Sequence, residues 1–365
     1  MPTIERIPFS ASALSLLLGL GMSAAANSAV ASITVAPGYA LSVFAGPLAG
    51  SSAPDSIATV GGDVFIGYGN GGAPDGSGGA MSTIAEYTTT GSFVGSIAVT
   101  GHNDGLRYNA ATGQLWSIQN EDGNPNLVLI DPNTLSQSTP LSFSSTPHGG
   151  GYDDVAFGPN GTYISASNPQ LNPNTAPAIV SATISGGVVN VTGALAGNAT
   201  ATVVNGGGVT TLNLQDPDSL IFAPSGALVL DSQSDQQLVC VNGIGTTSQA
   251  VSVLNLPSTV DDTVFAAGGR QRLLFADTAA GIVYALTGAF AGGQALSAAD
   301  TLGQIEALNQ STGAFSPLVT GLQSPHGEAL TAALPEPATW STMIVGLLGA
   351  GVLLRRRRSV AVTAA

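Results

Sequence analysis

A short motif, an Asp followed by a small or acidic residue and then an aliphatic one, returns along the chain at near-regular intervals. It stands at Asp55-Ser56-Ile57, Asp104-Gly105-Leu106, Asp153-Asp154-Val155 and Asp218-Ser219-Leu220, with a looser copy at Asp262-Thr263-Val264. The spacings are 49, 49, 65 and 44 residues. A recurrence of this period marks a repeat architecture whose unit is one supersecondary element. Within each unit, short β-rich runs are bounded by Gly, Asn, Asp and Pro, and helical periodicity is almost absent. Second runs lie at Val64 to Gly67, Leu115 to Ile118, Tyr163 to Ala166, Leu228 to Leu230 and Leu273 to Phe275. Third runs follow, as at Thr83 to Tyr87 and Ile282 to Leu286, and fourth runs, as at Phe93 to Val99 and Val251 to Leu256, return toward the next Asp.

Four short strands per unit, five clear units and a sixth shared by the ends predict an all-β fold. Residues 32–333 read as a β-propeller of about six (five to seven) four-stranded blades. Leu41 to Gly46 reads as a fourth strand, and Leu318 to Gly321 followed by Ser324-Pro325-His326-Gly327 repeats the same linkage at the far end. Pairing the two ends would remove exposed strand edges. The segment Ala289 to Thr312 fits no blade in this scheme. A β-sandwich or a β-solenoid is the alternative that the same strands allow.

Composition narrows the function classes. Of 365 residues only 8% are charged, none is Lys, and four of the eight Arg are the run Arg355, Arg356, Arg357, Arg358. Such a chain is not a nucleic-acid binder, a coiled coil or a charge-rich disordered segment. Residues 32–333 hold three Arg against 20 acids, a balance of −17. That surface repels anions and favours divalent cations or neutral, hydroxyl-rich ligands, although it also serves solubility alone. Cys240 stands by itself in an apolar run, so no intrachain disulfide is available and a packed thiol is expected.

Both ends read as addresses. Arg6, an apolar run from Ala11 to Ala26 and the small-residue exit Ala29-Val30-Ala31 make a secretory signal peptide over residues 1–31, cleaved after Ala31. Residues 334–365 carry Pro335-Glu336-Pro337, the apolar stretch Ala338 to Leu354 and then Arg355 to Arg358. Seventeen apolar residues span ~25 Å as a helix, at the short end for a bilayer. The Arg run stops transfer and stays cytoplasmic. These three parts in this order closely resemble a PEP-CTERM sorting signal. The resemblance implies passage through the Sec translocon and a transient inner-membrane anchor. It further implies processing by an exosortase and delivery to the cell surface or extracellular matrix of a Gram-negative bacterium, often one that makes extracellular polysaccharide.

The repeat units, with Ala53-Pro54-Asp55-Ser56 and Ser324-Pro325-His326-Gly327 as their clearest examples, resemble NHL-type and gluconolactonase-like propellers. That resemblance implies a channel mouth where the inner strands begin, and in the gluconolactonase-like case a channel metal used for hydrolysis. Asp55, Asp104, Asp153, Asp218 and Asp262 share this phase, His326 and Glu328 lie beside it, and His102 and His148 fall near the start of inner strands. Carboxylates and His gathered there would bind a hard divalent cation, Ca²⁺ by preference, through oxygen ligands. Alternatively, each Asp caps a tight turn through its own backbone.

Other motifs fail on context. Gly67-Tyr68-Gly69-Asn70-Gly71-Gly72 runs into Ala73-Pro74-Asp75-Gly76, which cannot open a phosphate-binding helix. Glu121-Asp122-Gly123-Asn124 lacks EF-hand spacing, and no G-x-S-x-G elbow occurs. Trp116 and Tyr163 read as core, Tyr68 and Tyr87 as exposed rings, and Arg270 and Arg272 as solvated. The sequence therefore favours an exported binding or scaffolding protein of the envelope or polysaccharide matrix. A Ca²⁺-dependent gluconolactonase-like hydrolase or lyase is the alternative.

Overall fold

The computed structural model describes residues 32–333. The signal segment 1–31 with Ala31, and the sorting segment 334–365 with Pro335, Glu336, Pro337 and the Arg run, lie outside the described residues. Among the described residues no helix is long and apolar enough to cross a membrane.

Six blades carry the chain, their strands paired antiparallel except at two parallel pairings near the rims, and in four of them the innermost strand opens with the Asp motif. The inner strands are Pro54–Val60, Asn103–Asn109, Tyr152–Gly158, Pro217–Phe222, Thr263–Phe265 and Pro325–Ala332. Each contacts the next, and the last contacts the first, so they close a ring around a central channel. Blades 1, 2 and 3 follow sequence order, as in the run Pro54–Val60, Asp63–Tyr68, Met81–Thr88 and Phe93–Thr100. Blades 2 and 3 also touch at their rims through a short parallel pairing of Leu141–Phe143 with Val188–Ala196. Blade 4 gains two edge strands, Thr200–Val203 and Val209–Thr211, which account for its longer repeat.

Apolar side chains on alternate strand positions pack between the blades. Leu220 and Leu230 of blade 4, for example, sit with Tyr163 and Ile179 of blade 3. Tyr68 and Tyr87, expected exposed, are buried at blade 1 with their hydroxyls 2.9 Å apart. A phenol inside a core needs a hydrogen-bond partner, and here one hydroxyl donates to the other. Trp116 and Tyr163 are buried as expected.

The last two blades depart from the sequence reading. After Thr263–Phe265 the chain does not fold back beside that strand. It crosses into blade 6 as the hairpin Gly269–Asp277 and Ile282–Phe290, then returns to blade 5 as Ala295–Ala299, Gln304–Leu308 and Phe315–Thr320. Leu273 to Phe275 is thus a second strand of blade 6, and the stretch that fitted no blade supplies the second and third strands of blade 5. Gly268 and Gly269, at φ of 98° and 80°, take the left-handed turn that leads the chain away. Arg272 is buried in this hairpin, over the Phe44 ring at 5.4 Å and with Nε donating to Thr331 Oγ1, so it is not a solvated cation.

Blade 6 also closes the ring. Its outer strand, Ala40–Ala45, comes from the N-terminal side and its inner strand, Pro325–Ala332, from the C-terminal side. The joint pairs strands over many residues and buries Leu273, Phe275 and Leu286 against blade 5. The ring is held without a disulfide, and Cys240 is half-buried.

Candidate functional site

Each inner strand begins with the same irregularity. Between Pro54 and Ile57, Asn103 and Leu106, Tyr152 and Val155, and Pro217 and Leu220, two residues oppose one on the partner strand. Such a bulge turns its first side chain toward the channel axis, and the residue turned is the motif Asp. Register places His326 at this position in blade 6, with Gly327 as the second bulge residue. In blade 5, Asp261 N–H donates to Ala298 O and Ala298 N–H to Asp262 O, so Asp261 and Asp262 together oppose Ala298.

The first level is therefore Asp55, Asp104, Asp153, Asp218, Asp261 and His326, all lining one mouth cavity of about 230 Å³. Asp262 belongs one level deeper, beside Asp154 and Ser219. The looser motif in blade 5 is shifted by one residue, because Asp261 and Asp262 are adjacent and only pairing tells which faces the mouth. Glu328 is deeper still: its backbone N–H donates to Asp262 Oδ2 at 2.7 Å and its side chain is buried below the mouth. Glu328 is thus not a mouth ligand. His148 lies in a separate small cavity with Tyr152 and Asn168, away from the acids.

Two additions complete the mouth. The loop after Gln114–Gln119 returns to the end where inner strands start, and it brings Glu121 beside Asp104. His102, just before the blade 2 inner strand, faces the same pair. One donor atom from each of His102, Asp104 and Glu121 lies within 4.8 Å of the others, and the same holds for Asp55, Asp261 and His326.

These two triads differ in what they lack. His326 Nδ1 lies 2.9 Å from Asp261 and 3.3 Å from Asp55, and its Nε2 meets Ser324 Oγ at 2.9 Å. Asp277 accepts the Ser324 N–H at 3.0 Å and fixes the turn that presents the ring. Burial alone would depress His326, but Asp261 and Asp55 outweigh it and hold the imidazole up to about 12. This triad supplies its own cation. In the other, His102 Nδ1 and Asp104 Oδ2 are buried and find no partner among the described groups. Burial holds His102 below its usual range and so neutral. Burial pushes Asp104 well up, with the Glu121 and Asp153 charges adding to it. Burial likewise raises Glu121 to about 7, although its hydrogen bond with Asp104 works the other way. Two facing carboxylates are satisfied only by a shared proton or by a cation between them.

Burial also raises Asp153 and Asp218, with neighbouring acids adding to the effect. No turn-capping bond is seen for Asp104, Asp153 or Asp218 among the described residues. Asp154 does cap locally, through Val155 N–H at 2.7 Å. Gly105 and Gly327 stand where neighbouring blades approach closely, since a Cβ there would run into the carbonyls of Asp153 and Asp55 respectively.

Arg107 closes the floor. Its Nη2 reaches Asp154 at 2.6 Å and Asp262 at 3.4 Å, from blade 2 to the opposite blade 5. Despite burial, these two carboxylates keep the guanidinium charged. The side chain thus lies across the channel beneath the acidic mouth.

No protein-family model and no curated protein sequence matches this chain. Solved structures resemble it in outline. A structure described as a gluconolactonase of its family is 13% identical over 79% of this chain and 83% of its own, with a TM-score of 0.44. An inactive variant of virginiamycin B lyase from Staphylococcus aureus, with quinupristin, is 13% identical over 79% and 92%, with a TM-score of 0.42. A protein of unknown function from Bacteroides caccae is 9% identical over 78% and 89%, with a TM-score of 0.46. Similarity at this level does not carry a reaction from one chain to another.

Proposed function

We propose that the channel mouth is a divalent-cation site, Ca²⁺ being the best fit, at which the protein takes a small, neutral, oxygen-rich substrate. There it either adds water to a polarised ester carbonyl with release of the alcohol, or removes the α-proton and the β-oxygen leaving group beside such a carbonyl. The observation that carries this reading is the open triad of His102, Asp104 and Glu121, with buried donor atoms that no protein group satisfies. The donor set fits: two carboxylates suit a hard cation, and His102 is held neutral and able to ligate. A cation bound there supplies charge that polarises a carbonyl and acidifies water.

The remaining residues provide proton chemistry and shape. His326, kept protonated between Asp55 and Asp261, places a positive charge at the mouth that balances those acids. Asp153 and Asp218, pushed up by burial and by the neighbouring acids, face the substrate as hydrogen-bonding partners for its hydroxyls. A cavity of about 230 Å³ admits one small ring at a time, free or at the end of a chain. The Arg107 bar keeps that ring at the mouth.

The ends of the sequence support export, with the tail processed by an exosortase at the membrane and the propeller delivered to the surface or matrix. Residues in the tail test this part separately: Glu336→Ala should leave the protein membrane-bound, and normal release would remove the sorting claim. The function itself is tested by assaying hydrolysis of neutral sugar lactones and elimination from neutral β-substituted carbonyl sugars, with chelator and with added Ca²⁺. Cation-dependent turnover supports the proposal. Binding of sugar without turnover would leave the mouth a recognition module of the polysaccharide matrix, and no binding of cation would end both readings.

A further inference from the structure

The channel has a second end. Below the Arg107 bar lies a cavity of about 540 Å³, larger than the acidic mouth, to which all six inner strands contribute. Apart from Arg107 and Glu328, its upper wall is made of small or aliphatic side chains, with Ala58, Ala156, Val264 and Ala329 all buried. One level lower, the same strands present Thr59, Tyr108, Phe157, Phe222, Phe265 and Leu330. Four of these six are aromatic, in a chain with only 5% aromatic residues. Phe157 and Phe222 pack edge-on against Trp116 and Tyr163, which fixes their orientation. The arrangement is a rigid aromatic collar beneath a chamber kept open by alanines.

The roof of this chamber is polar, with Arg107 and with Glu328, whose two carboxyl oxygens are buried and find no partner among the described residues. Both ion-pair contacts of Arg107 use Nη2, so Nε and Nη1 keep their N–H donors for other partners. Asp154 and Asp262 already match the guanidinium charge and exceed it by one. A ligand anion would meet that excess, and a ligand cation would meet Arg107 itself. The chemistry that fits is an uncharged, largely apolar body with one acceptor oxygen.

We propose that the lower chamber is a second ligand site, for a small uncharged aromatic or alicyclic molecule carrying a carbonyl or hydroxyl oxygen. The ring is held by the collar and the oxygen accepts from Arg107. The site shares Arg107 with the acidic mouth, yet it requires no cation and stands independently of the function proposed for that mouth.

The test is a fluorescence titration of the protein, in chelator, with the neutral naphthyl ketone prodan. The expected result is saturable binding of one dye per chain with a blue-shifted emission. Ala156→Trp, which fills the chamber, and Leu330→Glu, which charges its half-buried rim, should each weaken binding at least tenfold. Circular dichroism checks that both variants are folded. If Ala156→Trp fails to fold, the rim variant decides alone. Absence of saturable binding, or binding that the variants leave unchanged, would overturn the site. Equal affinity for the anionic dye 1-anilinonaphthalene-8-sulfonate would overturn the choice of an uncharged ligand, which should bind at least tenfold more tightly.

Discussion

Replacing Glu121 by Gln should stabilise the cation-free protein and weaken its response to cation, two effects of opposite sign from one side chain. Burial raises Glu121 from 4.5 to about 7. At ~1.36 kcal/mol per unit, its ionisation costs the folded state about 3 kcal/mol. The folded protein holds the extra proton between those two values. Stability is therefore fullest below 4.5 and is lost as pH rises through 7. Glu121→Gln removes this loss, so in chelator the variant should match the parent at low pH and exceed it by about 3 kcal/mol above neutrality. With Ca²⁺ at 100 times its Kd the parent should gain about 2.7 kcal/mol. The variant, short of one ligand, should gain less, and the difference between them should narrow. Urea unfolding followed by circular dichroism, across pH and with or without Ca²⁺, measures all four corners. Equal pH slopes for parent and variant, or an equal gain from Ca²⁺, would refute the reasoning.

Other perturbations separate the site from its scaffold. Glu306, fully buried in blade 5 and raised by burial to about 7, should give the same pH effect in Glu306→Gln but leave the Ca²⁺ response intact, as urea unfolding would show. Arg107→Met leaves Asp154 and Asp262 buried without their cation and should cost ~3–5 kcal/mol, with partial recovery in the double variant with Asp262→Asn. His326 contributes stability that is full below 6.5 and fades as pH rises toward about 12. The stability gap between parent and His326→Gln should therefore shrink with rising pH above neutrality, by about 1.4 kcal/mol per unit.

Much of this molecule was legible because its repeat is tied to a backbone event. The motif Asp sits at a bulge that returns at the start of successive inner strands, so Asp55, Asp104, Asp153 and Asp218 share one phase that the sequence shows. Asp261 was hidden by its neighbour Asp262, since a one-residue phase is decided by strand pairing and not by composition. Glu121 was hidden differently. It lies in a loop, outside the repeat, and only the alternation of strand directions shows that this loop returns to the mouth. The exchange between blades 5 and 6 was illegible for a third reason: an apolar strand such as Leu273 to Phe275 announces that it will be buried, but not beside which neighbour. Tyr68 and Tyr87 show the same limit, because each hydroxyl is satisfied by a residue 19 positions away.

Calorimetric titration of the protein with Ca²⁺ decides whether the channel mouth is a cation site. One cation should bind per chain, with the heat lost in Asp104→Asn and kept in Glu306→Gln. No binding even at millimolar Ca²⁺, with no rise in melting temperature over the chelated protein, would contradict it.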